Sequence, residues 1–93
     1  MNNIKDNTII QRKSEILSSE LDGETVLMSA ENGEYLGLDD IGSRIWQLIE
    51  KSITFEILID HLIKEYKVNR IDCEKDVLEF LEGLLNKQLI IIS

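Results

Sequence analysis

Two tight-turn signals that run directly into a helical pattern constrain this chain more than any other feature. In residues 21–46, LDGETVLMSAENGEYLGLDDIGSRIW, the pairs Asp22-Gly23 and Asn32-Gly33 can each supply the positive φ angles that a two-residue type I′ turn demands. They predict three short antiparallel strands in a row, over 15–21, 25–30 and 34–38, segments rich in Leu, Ile, Val, Thr and Tyr. After Leu38 the period changes. Asp39 or Asp40 can cap a helix in which Ile41, Ile45, Leu48 and Ile49 share one face by their i, i+4, i+7, i+8 spacing.

A second helix is expected to begin at Thr54, whose hydroxyl can cap it, with Glu56 at the positive end of the dipole. Phe55, Leu58, Ile59, Leu62, Ile63 and Tyr66 then form one apolar face. Residues 67–71 connect it to a third helix over 72–86, with Asp72 as its cap and Lys87 near its other end. The apolar positions of that helix, from Cys73 to Leu85, cover an arc of about 160°, wider than the stripe of about 100° that one core contact needs. The excess width is available to a second surface. Phe80 lies at one edge of the arc, flanked by Asp76, Gly83 and Lys87; Leu78 and Leu85 lie at the other.

Gly83 costs about 1 kcal/mol relative to Ala inside a helix, so it is either incidental or keeps room for another backbone. Gly37, inside a predicted strand, marks a bulge or a place where another chain comes close. Residues 1–7 are polar and weakly patterned and are expected to form a flexible arm, whereas 8–11 can add a short edge strand. Residues 8–93 then make a single domain, because 93 residues with 43% apolar content support one core and not two.

The longest apolar run is residues 89–92, far short of the roughly 20 residues a membrane span needs, and the N-terminus does not read as a signal peptide. With one cysteine, Cys73, there is no internal disulfide, and a cytoplasmic location is expected. The net charge is −8, and the one adjacent basic pair is Arg12-Lys13, which disfavours a nucleic-acid surface. The acidity reads either as an ordinary solvated surface or as a rim that attracts a positively charged peptide or enzyme.

No catalytic constellation emerges. His61 is the one histidine, lies beside Asp60 in a helical pattern, and reads as a surface residue. Cys73 has neither a second cysteine nor a nearby histidine, and Gly42-Ser43-Arg44 lacks the glycines and lysine of a phosphate loop. Asp39, Asp40, Asp72, Glu74 and Asp76 read as helix caps before they read as catalysts. Trp46 reads as core, its indole N–H reaching a carbonyl or water. No cofactor or metal is expected, and the chain is read as non-enzymatic.

Tyr35-Leu36-Gly37-Leu38, Gly42-Ser43-Arg44-Ile45-Trp46, Thr54-Phe55-Glu56-Ile57, and then Asp76, Val77, Phe80, Leu81, Leu84, Leu89 and Ile90 occur in an order that resembles the PqqD-like family. The resemblance covers residues 14–92. Members of that family are recognition elements that bind leader peptides for enzymes making ribosomally synthesised, post-translationally modified peptides. The element order suggests, and the resemblance implies, an α+β, winged-helix-like fold, a three-stranded antiparallel sheet followed by a three-helix bundle. It also implies that a precursor leader peptide adds as a strand beside the third strand, in the cleft formed with the third helix. That places Glu34, Tyr35, Leu36 and Gly37 on the strand side, and Asp76, Val77, Phe80, Gly83, Leu84 and Lys87 on the helix side. A proline at position 36 is then expected to disturb the edge.

A chain of this size looks most like the recognition protein of a lasso-peptide pathway, which delivers the precursor to a separate leader peptidase and a cyclase. Other members of the family serve a radical SAM enzyme, including that of pyrroloquinoline quinone synthesis. The ending departs from the family's Gly-Leu-Ile by placing Gln88 before Leu89, so the third helix lacks the expected glycine C-cap. Two other classes stay open: a winged-helix regulator binding DNA, which the charge opposes, and a subunit that buries its apolar groove permanently against a partner.

Overall fold

The computed structural model describes residues 4–29 and 33–93. The elements are β1 (Ile9–Arg12), β2 (Leu17–Leu21), β3 (Glu24–Ser29), β4 (Glu34–Gly37), α1 (Asp40–Leu48), β5 (Ile53–Thr54), α2 (Phe55–Tyr66), α3 (Arg70–Asn86) and β6 (Ile90–Ile92). Asp22 and Gly23 both hold positive φ, 54° and 84°, and turn β2 into β3 with Leu21 opposite Glu24. In the next connection Gly33 has φ 67°, while Asn32, the other half of the expected turn, lies outside the described residues, as does Ala30. Four residues separate the paired Ser29 and Glu34, so this connection is longer than a two-residue turn.

The fold is α+β, but the single sheet expected from the sequence is corrected to two three-stranded antiparallel sheets, β2-β3-β4 and β5-β1-β6. The edge strand expected over residues 8–11 forms as β1 and sits at the centre of the second sheet. Ile10 pairs with Ile53 on one side and Ile92 on the other and is fully buried. The apolar run at 89–92 supplies β6. Ahead of β1, the carbonyls of Thr8 and Asp6 accept from the N–H groups of Phe55 and Glu56 at 2.9 and 3.0 Å.

Helix ends follow from their polar residues. Asp39 caps α1 by accepting from the Gly42 N–H at 2.7 Å, and Thr54 caps α2 by accepting from Ile57 at 3.3 Å. The cap of α3 is Asn69 and not Asp72, because the Asn69 side-chain oxygen accepts from both Ile71 and Asp72 N–H groups. The helix thus starts at Arg70, and Asp72 falls in its first turn. At its other end Gln88 takes φ 61°. Leu89 N–H donates to Leu84 O at 2.9 Å and Gln88 N–H to Leu85 O at 3.0 Å, the two bonds of a Schellman ending, with glutamine where glycine is favoured.

The core gathers Ile45 and Trp46 of α1, Phe55, Leu58, Ile59 and Leu62 of α2, and Cys73, Val77, Leu81 and Leu84 of α3 around Ile10 and Leu27. Burial of each large aliphatic side chain contributes about 1.5–3 kcal/mol, so these contacts hold the helices to the sheets. Ser43 is inserted where the β3–β4 ladder ends. Its hydroxyl accepts from the Thr25 N–H at 3.0 Å and donates to the Leu38 carbonyl at 3.3 Å, joining the sheet to α1. Without it a buried donor would be left unpaired, at a cost of about 1–3 kcal/mol.

Arg44 reaches across from α1 to α2 in a two-pronged pair with Glu65, both contacts 2.8 Å. The same bonds lower the Glu65 carboxyl pKa from its ordinary value and raise that of Arg44. Arg70 joins α3 to α2 through Asp60. Trp46 is core, as expected, with the Arg12 guanidinium 5.1 Å from its ring centroid. Its indole N–H reaches no carbonyl among the described residues.

Candidate functional site

Among the described residues β4 pairs with β3 alone, so it is the edge of its sheet. The ladder shows which of its groups are free. Leu38 N–H donates to Thr25 O at 2.8 Å, and bonding alternates along an antiparallel pair. The main-chain groups of Leu36 and Glu34 therefore face β3, opposite Leu27 and Ser29. Those of Tyr35 and Gly37 face the open edge. Side chains alternate as well: Leu36 packs against the core, whereas Tyr35 is 72% exposed on the outer face.

Beside this edge runs α3. Asp76, Phe80, Gly83 and Lys87 follow one another at helical spacing along one side of it, the last three facing β4 and Asp76 facing α1. Leu36, Gly37, Phe80, Gly83, Leu84 and Lys87 all line a groove of about 420 Å³, together with Leu38, Asp39 and Glu79. On the α1 side of Phe80 it is continued by a hollow of about 430 Å³ that Asp76 and Val77 line with Ile41, Gly42 and Ile45. At the far end Glu34, Tyr35, Leu36 and Lys87 bound a small hollow of about 20 Å³. Eight of the ten residues expected at the site thus line the space between β4 and α3, whereas Asp76 and Val77 line the adjoining hollow between α1 and α3. The groove lies along the Phe80 edge of α3; Leu78 and Leu85, on the opposite edge, pack against the core.

Gly83 is open. A Cβ added there would meet nothing within 4 Å, so its absence serves no internal packing and instead leaves groove width. Gly42 is the reverse case and was not legible as a site residue. A Cβ on it would stand 3.2 Å from Cε1 of Phe80 and 3.1 Å from Oδ1 of Asp39. The glycine lets the Phe80 ring lie against the start of α1, which sets the wall between the two hollows. Asp39, Ile41 and Glu79 also line the site; the docking of α1 on α3 brings Asp39 and Ile41 there, whereas Glu79 lies on α3 itself. A glycine in the first turn of a helix was the one available signal.

His61 is exposed on α2. Burial pushes the Cys73 thiol up, away from the thiolate that nucleophilic or metal-binding cysteines need. Among the described residues no group of His, Cys, Asp and Glu is placed to hold a metal ion. No helix among them is long and apolar enough to cross a membrane.

Comparison with known proteins bears directly on this geometry. The family described as coenzyme PQQ synthesis protein D (PqqD) matches residues 24–90, from the start of β3 to the start of β6. The chain belongs to the PqqD family. Two solved structures similar to this PqqD-family chain were obtained with a peptide bound. One is TbiB1 in complex with the TbiA(beta) leader peptide: 39% identity, 86% of this chain and 93% of that one covered, TM-score 0.79. The other is lasso peptide synthetase B1 complexed with the leader peptide: 26% identity, 88% and 96% covered, TM-score 0.78. A search of curated proteins found no match.

Proposed function

We propose that this protein captures the leader segment of a ribosomally made precursor peptide by strand addition and presents it to a separate processing enzyme. The observation that carries this reading is the unpaired edge of β4 with an apolar groove beside it. Main-chain bonds from Tyr35 and Gly37 hold the added strand, and alternate peptide side chains enter the groove toward Phe80, Gly83 and Leu84. Glu34, Leu36, Asp76, Val77 and Lys87 complete the contact surface.

The two similar leader-peptide complexes favour a lasso-peptide pathway, with its leader peptidase and cyclase as partners, over a radical SAM enzyme. The protein acts without catalysis or cofactor, by raising the effective concentration of precursor at its enzyme. Residues 8–93 serve as one recognition domain in a winged-helix-like arrangement, and the protein works in the cytoplasm. A DNA-reading role is disfavoured by the charge of −8.

Titration of isotope-labelled protein with the TbiA(beta) leader tests this. Amide signals of residues 34–38 and of the Phe80 side of α3 should shift together, with saturable 1:1 binding. A shift map centred on α2 would place the site elsewhere, and steep salt dependence with duplex DNA would support the regulator.

A further inference from the structure

The groove is uneven in charge, and on the reading that it takes a leader peptide this unevenness assigns a subsite. The hollow on the α1 side of Phe80 has an apolar wall of Ile41, Ile45 and Val77. Asp39, Asp76 and Glu79 stand around it, and among the described residues no Lys or Arg lines it. Among the described residues Lys87 is the one cation that lines the groove, and it lies beyond Phe80 at the other end. Asp39 is engaged in capping α1. Asp76 and Glu79 are exposed, and the ion pairs among the described residues use Glu50, Glu65, Asp60 and Glu74 instead.

A side chain entering this hollow therefore meets an apolar surface along its length and uncompensated negative charge at its mouth. Lys and Arg match both, since their methylene stems lie on apolar surface while the charged head stays at the rim. A peptide carboxylate would be repelled. We infer that the hollow between α1 and Phe80 is a subsite for a lysine or arginine of the captured peptide, with Asp76 and Glu79 as its specificity-determining residues. Together with Lys87 at the opposite end, it fixes which end of the peptide lies beside α1.

The test uses a set of TbiA(beta) leader variants in which each position in turn is Arg or Glu. Binding is measured to the full chain, to Asp76→Asn/Glu79→Gln, and to Glu15→Gln/Glu20→Gln, which removes the same two charges outside the groove. All are exposed positions, and thermal unfolding confirms that each variant is folded. One peptide position should prefer Arg over Glu by at least about tenfold on the full chain. That preference should fall below about twofold in the groove variant and persist in the control. Binding with no such position, a preference that survives in the groove variant, or one lost equally in the control overturns the subsite alone. Failure of every peptide in the set to bind overturns the leader-capture reading and the subsite with it.

Discussion

Proline at Tyr35 separates strand addition from side-chain binding. The Tyr35 N–H faces away from β3, so losing it leaves the β3–β4 ladder intact, and proline is tolerated on the open side of an edge strand. The added strand, however, loses one main-chain bond worth about 0.5–1.5 kcal/mol net, and a peptide carbonyl left unpaired raises the cost to about 1–3 kcal/mol. Affinity for the TbiA(beta) leader should therefore fall by about 10- to 100-fold in Tyr35→Pro, measured by fluorescence anisotropy. Tyr35→Ala provides the baseline, because the exposed ring is removed in both variants. Leu36→Pro behaves differently. The Leu36 N–H faces Leu27 of β3, so proline there breaks the sheet itself and acts on stability, which corrects position 36 as the place to probe the edge. A folded Tyr35→Pro protein that binds like Tyr35→Ala would refute strand addition.

Phe80→Ala should lower leader affinity by more than about tenfold, read by the same titration; thermal unfolding must show the variant folded, since truncating a packed Phe costs about 3–5 kcal/mol. A folded variant with unchanged affinity would remove the ring from the site. Gly83→Ala should raise stability by up to about 1 kcal/mol while weakening leader binding, because it improves helix propensity and narrows the groove; stabilisation with unchanged binding would make the glycine incidental. Gln88→Gly should stabilise the fold by about 1 kcal/mol in denaturant unfolding, since Gln88 holds φ 61°. Glu65→Gln should cost about 0.2–1 kcal/mol near pH 7, as its pair with Arg44 is about a third exposed. The Glu65 pKa is lowered on folding, so this stability is present above the ordinary carboxylate range and lost as pH falls through the folded value; a difference between wild type and variant that persists at low pH would contradict the pairing.

Features written into neighbouring residues were legible in the sequence. The Asp22-Gly23 turn, the Asp39 and Thr54 caps and the buried faces of the helices each depend on a few adjacent side chains. The second sheet was not legible, because Ile10 meets Ile92 across almost the whole chain and a short apolar run such as 89–92 reads equally as a helix end. The start of α3 was misplaced because Asp72 and Asn69 are both good caps, and only the backbone shows which side chain accepts. At the site, the stripe from Asp76 to Lys87 could be read from helical spacing. Gly42, Asp39 and Ile41 could not, since they reach the groove only when α1 packs against α3; Glu79, on α3 between Asp76 and Gly83, belongs to the same spacing.

Amide hydrogen exchange at Tyr35 and Gly37, with and without saturating TbiA(beta) leader, tests the central claim most directly. Both N–H groups face the open edge and should exchange rapidly in the free protein, then become strongly protected when a peptide strand bonds to them. Protection confined to α3 with Tyr35 and Gly37 still exchanging freely would contradict capture by strand addition.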